Sequence, residues 1–338
     1  MSRSERFLYF ESGSTDPYYN LAFEEYLFDH YTEGNVLYLW QNDNTVVIGK
    51  NQIAEQQINR AFVEEHRVNV VRRMTGGGAV YHDLGNLNYS FITDEDDENN
   101  ISSLELLARP IVEALKGLGL KAEVSGRNDI LIEGRKVSGT AQRVGHGRIL
   151  HHGTLLFKSN PDMIAGALQV DPEKFKGKGI RSVKSRVGNI AGFLPDGRQP
   201  AVTDVRSFWE YLKGMLLAPG QVPVKLTEAQ LASVRDLADS KYRTRQWNYG
   251  HAPHFEITNK KYLDGGCLEC HVNVRAGRIE AVRFFGDFLA VKPLDEIEES
   301  LKDVPFEKEA VAAALDRLPL APYFGGISKE GILETLFA

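Results

Sequence analysis

Apolar residues recur with a period of two in many short segments of this chain and with helical spacing in fewer, longer segments. The period of two predicts strands at residues 7–10, 36–40, 45–48, 69–72, 86–92, 128–132, 136–142 and 155–157. Helical spacing predicts helices at residues 18–29, 53–66, 103–118, 203–217 and 227–242. The polar turn at residues 41–44 predicts that the second and third strands form a hairpin.

The periodicity stops at residues 246–253, where Trp, Tyr, Gly and Pro mark a domain boundary. Beyond it the pattern predicts a small α+β module, with strands at residues 255–262, 266–274 and 278–285 and helices at residues 294–302, 307–318 and 328–336. We therefore expect two domains, residues 1–248 and residues 249–338.

Composition narrows the class of protein. The 338 residues are 42% hydrophobic and 25% charged, which is typical of a globular protein. The net charge of −6 argues against a general nucleic-acid or membrane binder. Two cysteines make no disulfide framework, and the charged N-terminus lacks the apolar core of a signal peptide, so we expect a cytoplasmic protein.

Three consecutive glycines, Gly76, Gly77 and Gly78, form a segment that we call the glycine loop. Without Cβ atoms, their N–H groups can point at one bound group, and Arg72 and Arg73 just upstream can balance negative charge. The segment matches neither a P-loop nor a Rossmann fingerprint. A plain glycine-rich turn with solvated arginines stays open as the alternative.

A second candidate site lies on the predicted strand at residues 136–142. A period of two places Lys136, Ser138 and Thr140 on one face, with Asp129 on the preceding strand. An exposed lysine on a solvent-facing strand is the alternative.

Three other segments carry possible chemistry. His151 and His152 are adjacent on a strand, so they point to opposite faces and do not simply share a metal ion, which favours a core or substrate-wall role. The basic, glycine-rich residues 174–186 are suited to closing over a nucleotide phosphate. Residues 267–271 match a haem-attachment string, but alternating strand residues explain Cys267 and Cys270 better.

The motifs together resemble those of the lipoate-protein ligase A family, over nearly the whole chain. The segments that carry the resemblance are residues 16–25, 72–83, 125–129, 135–139, 151–154, 178–189 and 247–250. The resemblance implies an α+β fold, with a mixed-sheet catalytic domain like those of class II aminoacyl-tRNA synthetases and biotin ligases and a small C-terminal accessory domain.

It also implies a function. Members of the family activate lipoate with ATP and Mg²⁺ to lipoyl-AMP, release pyrophosphate, and transfer the lipoyl group to one lysine of a lipoyl domain. The implied acceptors are the acyltransferase subunits of 2-oxoacid dehydrogenases and the H protein of glycine cleavage, with no nucleic acid or membrane as partner.

Site residues follow from the matching motifs. Lys136 would be the catalytic lysine that bridges the lipoyl carboxyl and the α-phosphate, and Asp129 would be a magnesium ligand. The implied ATP and lipoyl-adenylate site comprises Arg73, Gly76, Gly77, Gly78, Ala79, Val80, Tyr81, Lys136, Ser138, His152, Lys178, Arg181 and Lys184.

Two alternatives remain open. The first is a lipoyl or octanoyl transferase of the same fold that uses a covalent cysteine, or a biotin ligase. We expect both cysteines to lie away from the glycine loop and Lys136, which disfavours the thioester route, and the Gly-Arg-Gly-Arg loop of biotin ligases is absent. The second is a non-catalytic protein that binds lipoate as a sensor.

Overall fold

The structure is a computed structural model that describes residues 7–95, 103–125, 129–169, 187–195, 202–249, 256–275 and 277–338. Its strands in chain order are β1 (Phe7–Phe10), β2 (Asn35–Trp40), β3 (Thr45–Ile48), β4 (Asn69–Arg72), β5 (Val80–His82), β6 (Asn86–Asp94), β7 (Ala122–Ser125), β8 (Asp129–Ile132), β9 (Arg135–Gly145), β10 (Arg148–Leu156), β11 (Ile257–Leu263), β12 (Gly266–Arg275) and β13 (Arg278–Gly286).

Its α-helices in chain order are α1 (Pro17–His30), α2 (Ala54–Gln57), α3 (Arg60–Glu65), α4 (Ser103–Gly117), α5 (Pro161–Ala167), α6 (Val205–Leu216), α7 (Glu228–Leu237), α8 (Arg245–Tyr249), α9 (Asp295–Ser300), α10 (Lys308–Leu315), α11 (Ala321–Phe324) and α12 (Lys329–Leu336). Helix α7 begins with a reciprocal capping box formed by Thr227 and Gln230. Among the described helices, none has the length and apolarity that crossing a bilayer requires.

A seven-stranded mixed sheet forms the frame of the larger part of the chain. Its order is β1-β2-β6-β10-β9-β8-β7, with β1 and β2 parallel and the other neighbours antiparallel. One face packs against α4 and α6, with Ile111 and Phe208 fully buried. The other packs against α1 and α7, where Leu27 and Tyr38 are fully buried. Both faces of the central strands are therefore covered.

A three-stranded sheet, in the order β4-β3-β5, presents the glycine loop between β4 and β5. Strand β3 is parallel to β4 and antiparallel to β5. It packs with α2, α3 and α5 around Val46, Ile48 and Ile164. The loop therefore begins and ends on the two strands that flank β3, which fixes both of its ends.

The C-terminal sheet has the antiparallel order β11-β12-β13. One face packs against helices α9 to α12, with Leu268, Cys270 and Val272 in the core. The alternate positions of β12, among them Cys267 and Glu269, face the other way, toward the rest of the chain.

The predicted hairpin of β2 and β3 is wrong. The two strands lie in different sheets, and the turn between them bonds to other segments. The Gln41 side-chain amide donates to the carbonyls of Leu84 and Asn86, and the Asp43 N–H donates to the carbonyl of Thr15. The polar turn therefore connects strands of two different sheets. The local sequence pattern of such a turn does not differ from that of a hairpin turn.

The single helix predicted at residues 53–66 is also wrong, since it is divided into α2 and α3. Ile58 forms a β-bridge with Leu168, and the Asn59 N–H donates to the carbonyl of Ala167. The Asn59 side chain then accepts from the N–H of Phe62 and caps α3. A long-range contact and a cap together stop the first helix.

Candidate active site

A cleft of about 670 Å³ lies between the end of the glycine loop, strand β9 and the C-terminal sheet. Its apolar lining includes Val80, Tyr81, Leu156, Ile164, Leu168 and Val187. The polar lining includes Lys136 and Thr154, and the C-terminal sheet contributes Tyr262, Cys267, Glu269 and Phe285. The volume and the mixed lining are typical of a small-molecule site.

The glycine loop is tightly enclosed by its neighbours. A Cβ atom on Gly76 would lie 3.0 Å from the carbonyl oxygen of Phe288, and Gly77 has a φ of 88°, which favours glycine. The N–H of Gly77 donates to the carbonyl of Phe288 at 3.1 Å. A Cβ on Gly49, a residue outside every motif described above, would lie 2.0 Å from the carbonyl oxygen of Gly77. Gly49 therefore packs directly against the glycine loop.

The side chain of Arg73 stabilises the glycine loop through hydrogen bonds to carbonyl groups of the loop. Its Nη2 donates to the carbonyls of Gly76 and Gly78 at 2.7 and 2.8 Å, its Nε donates to Thr75 Oγ1 at 2.9 Å, and its Nη1 donates to the Val47 carbonyl at 3.3 Å. Burial lowers the pKa of Arg73 to about 10, so the guanidinium stays charged at neutral pH. Most of its donors are therefore engaged inside the protein.

The expectation that Arg72 balances the charge of a ligand is wrong. Its side chain is fully buried and donates to five carbonyl groups, on Gly49, Lys50, Gln52, Trp247 and Asn248. An arginine whose three nitrogens all donate to backbone carbonyls fastens segments together. Arg72 joins the segment before the glycine loop to helix α8.

Lys136 reaches the cleft from strand β9. Its Nζ lies 2.7 Å from Asp129 Oδ1, and both side chains are about one-third exposed. A Cβ on Gly139 would lie 3.1 Å from that same Nζ, so glycine leaves room for the lysine. The ammonium therefore stands at the cleft wall with one carboxylate beside it.

The predicted shared face of Lys136, Ser138 and Thr140 is wrong, because the register between β8 and β9 shifts. Leu131 pairs with Lys136, but its neighbour Ile130 pairs with Ser138. Paired residues of antiparallel strands point to the same face, so Lys136 and Ser138 point to opposite faces. Ser138 is fully buried and does not line the cleft.

The carboxylate of Asp129, beside Lys136, is a candidate magnesium ligand. Across the described parts of the chain, no group of three or more His, Cys, Asp or Glu side chains is arranged to hold a metal. Mg²⁺ in nucleotide sites commonly takes one or two carboxylates, with phosphates and water completing its shell. Asp129 fits that pattern if the nucleotide supplies the remaining oxygens.

The two adjacent histidines face opposite ways, as predicted. His151 is fully buried and contacts Gln142 across the sheet, and burial lowers its pKa to about 3. His152 lies on the face toward the glycine loop, where its Nε2 is 2.8 Å from Thr75 Oγ1 and its Nδ1 is 2.8 Å from Glu24 Oε1. His152 thus contacts the support of the loop, and it does not line the cleft.

Of the predicted binding residues, Gly78, Ala79, Val80, Tyr81 and Lys136 line the cleft. The others that the structure describes lie behind it, namely Arg73, Gly76, Gly77, Ser138 and His152. Lys178, Arg181 and Lys184, and the rest of the basic segment at residues 174–186, lie outside the described residues.

The expectation that both cysteines lie away from the site is wrong for Cys267. Its side chain lines the same cleft as Lys136. Cys270 is fully buried among the core residues of the C-terminal sheet, as a packing role predicts. The location of Cys267 therefore provides no argument against a covalent route.

The glycine loop, the lysine at the cleft and the mixed sheet define a class of protein with a small-molecule site on a mixed-sheet domain. The family model of the lipoyl protein ligase A/B catalytic domain matches residues 16–210, and that of the bacterial lipoate protein ligase C-terminus matches residues 252–336. The chain belongs to the lipoate-protein ligase family. The expected α+β fold, with a catalytic domain like those of class II aminoacyl-tRNA synthetases and biotin ligases, is confirmed.

Individual relatives agree with this assignment. The lipoate-protein ligase LplJ of Bacillus subtilis is 41% identical over 326 residues, which are 95% of this chain and 97% of the relative. The structure of LipL1 of P. falciparum in complex with lipoate has a TM-score of 0.74 and 25% identity, and covers 97% of both chains. A lipoate-protein ligase A bound with ATP has a TM-score of 0.60 and 28% identity, over 73% of this chain and 99% of the other.

Proposed function

We propose that this protein activates lipoate with ATP to lipoyl-AMP and pyrophosphate, then transfers the lipoyl group to a specific lysine of a lipoyl domain. One observation carries the proposal: a partly exposed lysine, Lys136, shares a cleft with the glycine loop in a chain of the lipoate-protein ligase family. The family members found are protein ligases by name, and the solved structures among them include lipoate-bound and ATP-bound forms.

The residue types suit the first step. A carboxylate that attacks a phosphate meets charge repulsion, so the site needs cations and no nucleophilic side chain. Lys136 would leave the carboxylate of Asp129 and hold the lipoyl carboxyl and the α-phosphate together. Mg²⁺ would neutralise phosphate charge when it is bound. Asp129, released from Lys136, would then become available as a metal ligand.

The apolar wall suits the acyl chain of lipoate. Val80, Leu156 and Ile164 line the cleft beside Lys136. Burying four methylenes stabilises the complex by about 3 kcal/mol, at ~0.8 kcal/mol each. The chain would lie along this wall with its carboxyl group at Lys136. Gly78, Ala79 and Tyr81 would then contact the adenylate.

The acceptor is the second substrate. Acyltransferase subunits of 2-oxoacid dehydrogenases and the H protein of glycine cleavage carry lipoyl domains, and we propose these as acceptors in the cytoplasm. The domains would be residues 1–248, which activate lipoate, and residues 249–338, whose sheet provides one wall of the cleft. The basic segment with Lys178, Arg181 and Lys184 would supply further contacts to phosphate.

Pyrophosphate release tests the proposal. The purified protein should release pyrophosphate from ATP only when lipoate and Mg²⁺ are both present, and should lipoylate an apo lipoyl domain in the same mixture. Pyrophosphate release should also be measured with octanoate in place of lipoate. Tight lipoate binding without pyrophosphate release would identify a sensor. Transfer from an acyl-carrier donor without ATP would identify a transferase.

A further inference from the structure

A chain of buried polar side chains connects helix α1 to the glycine loop. Glu24 is fully buried, and its Oε1 lies 2.8 Å from Nδ1 of His152. On the other side of the ring, Nε2 lies 2.8 Å from Thr75 Oγ1, one residue before the loop. A buried carboxylate is costly unless hydrogen bonds stabilise it, so this arrangement is maintained at a free-energy cost.

The loop end of the chain fixes the direction of the hydrogen bonds. Arg73 Nε–H donates to Thr75 Oγ1, and an arginine cannot accept. The hydroxyl proton of Thr75 is then left to donate to Nε2 of His152. A neutral imidazole that accepts at Nε2 carries its proton on Nδ1, and that proton points at Glu24.

The helix end contributes a second branch of hydrogen bonds that also ends on Glu24. Trp40 Nε1–H donates to Ser90 Oγ at 2.9 Å, and tryptophan is also a donor only. The Ser90 hydroxyl then donates to Glu24 Oε1 at 2.5 Å. Both branches therefore end on one carboxylate, which is the acceptor of the whole network. Glu24 Oε1 thus accepts from both Ser90 and His152.

The network also carries a charge balance. Arg73 and Glu24 are both buried, and the negative charge of Glu24 favours the charged form of Arg73. The uncharged side chains of Thr75 and His152 lie between the two charged groups and connect them through hydrogen bonds. Arg73 in turn holds the carbonyls of Gly76 and Gly78. The position of the loop therefore depends on a carboxylate on another element.

We propose that Glu24, His152 and Thr75 form a positioning relay that sets the tautomer of His152 and, through Arg73, the geometry of the glycine loop needed for adenylate formation. The relay rests on the proposed function, since its purpose is to shape a site for lipoate and ATP. Glu24 and His152 act through the loop and do not contact the substrate. His152, which the family resemblance assigned to ligand binding, receives a different role.

The tautomer of His152 tests the relay without any catalysis. In full-length protein labelled with ¹⁵N-histidine, the His152 signals, assigned by their loss in His152→Gln, should show a protonated Nδ1 and an unprotonated Nε2 at neutral pH. Glu24→Ala, which removes the acceptor of the Nδ1 proton, should shift the population toward the Nε2–H form. A wild-type protein with His152 protonated at Nε2 would overturn the proposal, whether or not the protein is a ligase.

Kinetics test the consequence for the loop. Thr75→Val keeps the shape but removes the hydroxyl, so lipoate-dependent pyrophosphate release should fall by about tenfold or more. Thr75→Ser keeps the hydroxyl and should restore most of that loss. Glu24→Gln combined with Thr75→Val should cost little more than the worse single change, because coupled residues are not additive. Equal activity of the Val and Ser variants, or fully additive losses, would refute the relay.

Discussion

Lys136 is the residue on which the proposed chemistry depends most directly. It is partly exposed and has one ion pair, so removing it should change the folded state little. Lys136→Ala should nevertheless lower the rate of lipoate-dependent pyrophosphate release by about 10²- to 10³-fold, the usual cost of losing one charge-stabilising donor. The thermal midpoint should stay close to that of the wild type.

Lys116→Ala is the matched control, because Lys116 is an exposed lysine in an ion pair with Glu113 on helix α4. It should keep wild-type activity. If Lys136→Ala released pyrophosphate within tenfold of the wild-type rate, Lys136 would have no essential role in activation.

Two buried histidines should make stability depend on pH. Burial lowers the pKa of His82 and His151 to about 3, whereas an unfolded histidine titrates near 6.5. The unfolded state therefore binds more protons below pH ~6.5. The free energy of unfolding should fall by about 1.4 kcal/mol per pH unit for each histidine as the pH drops from ~6 toward 4.

Denaturant unfolding at several pH values measures this slope. His151→Gln removes one of the two titrating groups and should reduce the slope by about 1.4 kcal/mol per pH unit. The exposed His66 provides the control, since His66→Gln should leave the slope unchanged. An unchanged slope in His151→Gln would show that His151 does not stay neutral in the folded protein.

At the scale of elements, the glycine loop depends on the end of strand β3 as much as on its own glycines. A Cβ at position 49 would lie 2.0 Å from the carbonyl oxygen of Gly77, closer than real Cβ contacts occur. Gly49→Ala should therefore displace the loop, lowering both the thermal midpoint and lipoate-dependent pyrophosphate release. Gly214→Ala, in helix α6 with open space around it, should be neutral or stabilising by up to about 1 kcal/mol. Normal activity in Gly49→Ala would mean that the loop is not held against β3.

The elements also show what local patterns predict and what they miss. Helix α1 was predicted from its helical spacing, and its start depends on local signals as well, since the Asp16 side chain caps it and Pro17 occupies its first turn. Local patterns did not predict the partner of β3 or the shifted register at Lys136, because both depend on pairing with other strands. A bulge reverses every side chain beyond it, so one extra residue was enough to separate Ser138 from Lys136.

At the scale of the whole molecule, the cleft brings together segments that no local pattern connects. The motif resemblance assigned the glycine loop and Lys136 to one site, and the structure places both against strands β12 and β13. The glycine loop contacts the C-terminal segment directly through Gly77 and Phe288. The supporting residues Glu24, Thr75 and Gly49 were missed as functional because their roles arise only from these long-range contacts.

The shared cleft also makes the route of acyl transfer a property of the whole chain. Cys267 lies on the C-terminal sheet yet lines the cleft with Lys136, so a thioester there is sterically conceivable. Burial raises the pKa of the Cys270 thiol well above its ordinary value, which leaves Cys270 unreactive. If the intermediate is a noncovalent adenylate, Cys267→Ala should keep ATP-dependent transfer within about threefold of the wild-type rate, because the thiol then forms no bond in the reaction and the change in side-chain volume is small. Cys270→Ala is the matched control, and should cost some stability through its core cavity but no activity.

Mass spectrometry of the acid-quenched reaction should find no lipoyl adduct on either cysteine. An adduct on Cys267, together with loss of transfer in a folded Cys267→Ala protein, would establish the covalent route in place of the adenylate.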